Sequence, residues 1–213
     1  MIIDYLTSHL LAGSNYLVAE QNRGEIDQFL LKELYGDEKD SSRHGIWSER
    51  ARSVSEIGKR IGWVPTNIPL VFFTDNVLEE IATASAVRRN EITARSEDYD
   101  IARVLLQHVD LLPLAQRQPH FLSEGETKIV WFLCQWAKAP EYLIVGDLPA
   151  AFSENRTAIL VDVLIRSDDI CNSIKIKSPT FVLGYSPEHA NWTVPLQKST
   201  QWVKREEGFF YDV

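Results

Sequence analysis

Residues 122–156 read LSEGETKIVWFLCQWAKAPEYLIVGDLPAAFSENR. Ser123 followed three positions later by Glu126 is an S-x-x-E capping pattern, in which each side chain can satisfy a backbone N–H left over in the first helical turn. Ile129, Phe132, Leu133 and Trp136 then recur on one helical face, and Ala139-Pro140 end it. Residues 142–145 (YLIV) form an unbroken apolar run, as expected of a strand covered on both faces in a parallel sheet. Asp147 stands just past its C-terminal end. Helix, proline-bounded turn, buried strand and terminal carboxylate, in that order, predict an α/β fold.

The flanks continue the alternation. Residues 16–20 (YLVAE) predict a strand and 21–24 a polar turn; Ile26, Phe29, Leu30 and Leu34 then fall at helical spacing before Gly36. Residues 37–42 (DEKDSS) form a polar loop, and 61–64 (IGWV) a second strand cut by Pro65. From Thr74 the pattern is amphipathic, with Asp75 or Asn76 as cap. The charges of 88–100 are expected on a solvated face, and 101–112 forms a helix stopped near Pro113. Downstream, 158–165 predicts a helix and 180–183 (TFVL) a buried strand. Residues 202–203 and 209–211 read as a closing hairpin around Glu207-Gly208. Together these elements predict a mostly parallel core sheet, and ligands in such sheets sit at the carboxyl ends of the strands. Those ends are 21–27, 65–67, 147–148 and 185–186.

Composition narrows the classes. With 213 residues, 45% of them hydrophobic and 24% charged, the chain has the makings of one generous domain, not of a disordered or collagen-like polymer. A net charge of −8 argues against nucleic acid and against a polybasic membrane-surface protein. No apolar run approaches a membrane span, and the first residues, with Asp4 and no basic start, do not resemble a secretory signal. Cys134 and Cys171 read as reduced thiols of a cytoplasmic protein, one filling the core and one part-buried near the surface. The histidines, His9, His44, His108, His120 and His189, show no ligand spacing, and no metal is expected. The tryptophans are expected as core and interface anchors.

The 122–156 stretch resembles the signature-to-Walker-B region of ATP-binding-cassette (ABC) ATPases. RIGWVPTNIPLVFFTDNVLEEIA (60–82) is similar to that family's Q-loop and the stretch after it, and TFVLGYSPEHA (180–190) to its switch-histidine strand. NYLVAEQNRGEIDQFLLKELYG (15–36) is a fainter likeness to the P-loop strand, turn and helix. Degraded motifs in the right order imply a P-loop NTPase-like ABC nucleotide-binding domain over 1–213. Residues 1–66 and 141–213 would form its core α/β lobe and 67–140 its helical signature subdomain, with a truncated N-terminal antiparallel lobe in which only Tyr5 precedes the P-loop as a candidate adenine stacker.

The chemistry implied by the family is missing at most positions. Walker A needs glycines whose amides cradle phosphates, a lysine for β/γ charge and a hydroxyl for Mg²⁺. Here Ala19 replaces the first glycine, Gly24 remains, Glu25 takes the lysine position and Ile26 the hydroxyl position. Two unit charges ~4 Å apart interact by about 4 kcal/mol at an effective dielectric near 20. Exchanging attraction for repulsion there, even discounted by half for solvent and side-chain rotation, carries a micromolar site to millimolar. Thr66 replaces the Q-loop glutamine, Leu148 the catalytic carboxylate and Tyr185 the switch histidine, with His189 out of register. Asp147 and Pro149 are kept, and Glu154 takes the D-loop aspartate position. Asp147 also fits a simple cap of the next turn.

In this family two domains dimerise head to tail, each ATP lying between the Walker A of one and the signature of the other. The resemblance therefore implies a pseudo-ATPase with no cofactor of its own. It would offer Ser123, Gly125 and Glu126 to ATP and Mg²⁺ held at an interface shared with an intact ABC ATPase. The same residues also fit an ordinary helix N-terminus, and Glu124, in place of a signature glycine, adds a carboxylate. Leu70, Val71, Phe72 and Phe73 are expected either to dock a membrane permease, placing the chain peripherally on the inner face of the membrane, or to be core. Two other functions stay open: a non-transport scaffold or regulator on the same fold, and an active ATPase with a diverged site. Homo- and heterodimers are both compatible with the sequence.

Overall fold

The structure, a computed structural model, describes residues 14–20, 26–28, 30, 58–66, 71–148, 152–198 and 202–205, the last four and 187–189 by backbone alone. Asn15–Ala19 (β1), Ile61–Val64 (β2), Tyr142–Val145 (β3), Thr180–Tyr185 (β4) and Trp202–Arg205 (β5) form one sheet in the order β2-β3-β4-β1-β5. Every pairing in it is parallel. Leu17, Leu143, Phe181 and Val182 have no exposed surface, as the continuous apolar runs require of strands covered on both faces. The described helices are Val77–Ala86 (α1), Ser96–His108 (α2), Glu124–Ala137 (α3), Glu154–Ile165 (α4), Ser167–Ser173 (α5) and Val194–Gln197 (α6). Residues 26–28 and 30 are also helical, with Ile26 and Leu30 buried.

Helices α1, α2 and α3 pack on one another between β2 and β3 in the chain. Ile81 and Ala82 of α1 meet Leu105 and Leu106 of α2 and Ile129 and Leu133 of α3 in one buried cluster. Asn76 is the cap of α1, its side chain accepting from the Glu79 N–H at 2.9 Å. Trp136, fully buried on α3, lies 5.6 Å from Phe132 and 5.6 Å from Phe181 of β4 between ring centres, tying helix to sheet. Its indole N–H donates to Cys171 Sγ at 3.2 Å, and burial pushes that thiol up to about 11. Both cysteines are therefore core residues; Cys171 is not near the surface.

Several boundaries move from the sequence expectation. β1 lies one residue earlier, and β4 runs on to Tyr185. α4 starts at Glu154 because Ser153 caps it, accepting from the Arg156 N–H at 3.4 Å. The closing hairpin is corrected in its first arm: 202–205 is an edge strand parallel to β1, while 209–211 lie outside the described residues. The largest correction concerns the charges of 88–100. α2 begins at Ser96 because Asp98, fully buried, turns back to accept the Arg95 N–H at 2.8 Å. Ser85 Oγ at 2.8 Å, Arg88 Nη2 at 3.2 Å and Arg89 Nη1 at 2.9 Å donate to the same carboxylate. Within that run Asp98 gathers a buried ion cluster joining α1 to α2, because a buried carboxylate persists only among donors, while Arg95, Glu97 and Asp100 stay on the solvated face as expected.

Candidate functional site

Parallel pairing sets the four strand ends side by side. Val64 pairs with Val145, Val145 with Leu183, and Tyr185 with Ala19. Thr66, Asp147, Tyr185 and Glu20 therefore gather at one edge of the sheet, where the sequence placed the ligand end. All four are buried: Thr66 5%, Asp147 1%, Tyr185 2% and Glu20 2% exposed. The close approach depends on two glycines that sequence reasoning passed over. A Cβ on Gly146 would lie 2.0 Å from Thr66 Oγ1, and one on Gly184 2.0 Å from Glu20 Oε1. Their signal was present, a glycine at the end of each buried strand.

Hydrogen bonds join the strand ends at this edge. The Asp147 N–H donates to Thr66 Oγ1 at 3.2 Å. The Thr66 N–H donates to Asp27 Oδ2 at 2.7 Å, and the Trp63 indole to Asp27 Oδ1 at 2.9 Å. Asp27, 5% exposed, falls in the expected 21–27 stretch, but the sequence assigns it no role; its signal is an acid set inside the apolar stripe from Ile26 to Leu30. Ile26, where a magnesium-binding hydroxyl would stand, is fully buried hydrocarbon. Leu148, where a water-orienting carboxylate would stand, packs among Phe132, Leu160 and Leu164. Tyr185 sits edge-on to Trp192 with ring centres 6.5 Å apart. Gly24, Glu25 and Pro149 lie outside the described residues, as does the side chain of His189. Among the described residues no group of three or more His, Cys, Asp or Glu has the arrangement of a metal site.

The signature positions lie elsewhere, at the start of α3. The capping box is present: Ser123 N–H and Oγ–H donate to Glu126 Oε2 at 2.8 and 2.9 Å, and Glu126 N–H donates to Ser123 Oγ at 3.4 Å. The Ser123 N–H holds the Glu126 carboxyl below its ordinary range against the opposing effect of burial, with Arg117 and Arg156 adding to it. Glu124 is exposed and pairs with Lys128 at 3.3 Å. The first turn of α3 thus presents two carboxylates beside the Gly125 backbone.

The third predicted set divides. Val71 is 55% exposed and Phe73 84%, whereas Phe72 turns inward, its ring 5.8 Å from that of Trp131. Leu70 lies outside the described residues. Glu80 holds this segment, its Oε2 accepting the Phe73 N–H at 2.9 Å, the Thr74 N–H at 2.9 Å and the Thr74 hydroxyl at 2.8 Å. That role was not foreseen either, although an acid on the buried side of α1 marks it.

No protein-family model matches the chain. Over 122 residues it is 30% identical to a Pyrococcus abyssi protein named "Putative ABC transporter ATP-binding protein", covering 56% of this chain and 46% of that one. A Methanopyrus kandleri protein of the same designation is 28% identical over 111 residues, 52% of this chain and 40% of that one. The chain spans less than half the length of these curated relatives. Among solved structures, a dimeric bacterial ABC transporter cassette superposes with a TM-score of 0.61 at 14% identity, over 92% of this chain and 82% of that one. The cbiO1 protein of Clostridium perfringens, part of the ABC transporter complex cbiONQ, gives 0.54 at 16% identity, over 82% and 67%. The architecture is that of ABC nucleotide-binding domains, and the resemblance carried by the motifs is upheld.

Proposed function

We propose that this chain, with the fold of ABC nucleotide-binding domains and relatives named as ABC transporter ATP-binding proteins, is a degenerate subunit of that kind. Its own nucleotide site does not hydrolyse ATP. It pairs with an intact ABC ATPase, and residues 67–140 act as its signature subdomain, offering Ser123, Gly125 and Glu126 across the interface. The observation that supports this reading is the chemistry of the described residues at the expected cis positions. Ile26 is buried hydrocarbon where a magnesium ligand belongs, and the Thr66 amide is already taken by Asp27 at 2.7 Å. Leu148 can neither orient a water nor accept its proton. These residues do not fit magnesium nucleotide, and no catalytic step is assigned to them. Glu25, from the sequence, adds repulsion to any phosphate.

Val71 and Phe73 are, in this reading, the surface that meets a membrane permease subunit, which would hold the chain at the inner face of the membrane. Isolated protein titrated calorimetrically with MgATP is expected to give no micromolar heat, and a micromolar Kd overturns the proposal. Steady phosphate release lost in Asp147→Asn would instead support a diverged active ATPase. One observation favours a second reading, a scaffold or regulator with no transport role: the exposed Glu124 puts a carboxylate where the signature would meet a phosphate. Affinity capture from the native host separates the two. Recovery of an intact ABC ATPase with a membrane subunit supports the first, and capture without either supports the second.

A further inference from the structure

Asp27 stands one residue past Ile26, on the helical stretch after β1. A carboxylate buried this deeply persists only where donors meet it. Among the described residues its donors come from the β2 side, the Thr66 amide at 2.7 Å and the Trp63 indole at 2.9 Å. The contacts continue in both directions. Thr66 Oγ1 accepts the Asp147 N–H at 3.2 Å, linking the end of β2 to the end of β3. The Trp63 carbonyl accepts the Trp131 indole N–H at 3.0 Å, linking β2 to α3. One carboxylate therefore anchors the exit of β2, from which the chain runs on to the exposed Val71 and Phe73.

We propose that Asp27 is an internal tether, a carboxylate of the chain's own that fixes Thr66 and Trp63 whether or not nucleotide is present. The proposal rests on the reading that the site in cis is degenerate. A ligand shifts a segment only by contacting its alternative arrangements differently. The Thr66 amide and the Trp63 indole are already met by a side chain of the same protein, so these two donors are not free to answer a ligand. Thr66 then keeps its arrangement with and without nucleotide, and Glu80 independently holds the 73–74 amides.

Amide hydrogen exchange measured residue by residue on the full chain tests this. In the wild type, Thr66 is expected to exchange slowly, and to change less than twofold on adding millimolar MgATP. Asp27→Ala is expected to speed Thr66 exchange at least tenfold while Leu143 and Ile129, in β3 and α3, stay within twofold. Should that variant fail to fold, Asp27→Asn, which keeps the volume and one acceptor oxygen, is expected to speed Thr66 at least threefold. Unchanged Thr66 exchange in the folded Asp27 variants, or a nucleotide-dependent change in the wild type, overturns the tether. Calorimetric MgATP binding with Thr66 exchange still insensitive to nucleotide overturns the degenerate-site reading and leaves the tether standing.

Discussion

Asp98 shows how far the environment of one residue can depart from its neighbourhood in sequence. Burial alone would raise its carboxyl; hydrogen bonds from Arg89, the Arg95 amide, Ser85 and Arg88 outweigh burial and hold it well below the usual carboxylate range. Removing one partner of a buried ion cluster leaves the others uncompensated, at a cost of about 3 kcal/mol. Asp98→Asn is expected to lose that amount in urea denaturation at pH 7. Because the folded-state value is depressed, the stabilisation is present above the unfolded carboxylate's pKa and declines as pH falls below about 4. The gap between wild type and variant should therefore narrow in acid, and a gap independent of pH would contradict the ion-cluster account. In the sequence the same acid was one charge among many between 88 and 100. Nothing local marks it as the one with no exposed surface.

At the scale of elements, the legible part is the part that short-range physics fixes. The capping box of Ser123 and Glu126 spans three residues, and α3 starts where it says. β2 and β3 lie where the apolar runs put them, since burial on both faces leaves no room for polar positions. Ser123→Ala is expected to cost about 1 kcal/mol of stability by denaturant melting, since it removes an acceptor for the Glu126 N–H and a donor to its carboxylate. The contribution of Glu126, whose carboxyl is held low, is present above the ordinary glutamate range and fades as pH falls through it. The expectations that failed were starts and ends set by distant or side-chain contacts. α2 and α4 begin early because Asp98 and Ser153 bond back to their first turns. The 202–205 strand joins β1, at the opposite end of the sequence, and an apolar dipeptide near a Glu-Gly turn does not encode that.

For the whole molecule, the sheet brings the ends of β1 to β4 to one edge, and residues from four separate motifs meet there. The apolar pair at 71 and 73 is exposed, so its removal should leave the fold intact. Val71→Ser with Phe73→Ser is expected to shift Tm by no more than about 2 °C, while abolishing recovery of a membrane subunit in affinity capture. A large fall in Tm would place these side chains in the core instead. The sequence by itself determined the alternation of strands and helices and which residue types stand at the carboxyl ends of the strands, because periodicity, capping and residue identity are local. Only the tertiary structure decided that Asp27 occupies the Thr66 amide, that Phe72 turns in while Phe73 turns out, and that Arg88 and Arg89 close on the buried Asp98. Each of these depends on which distant donor or apolar surface a side chain meets, and that is set by how the elements pack.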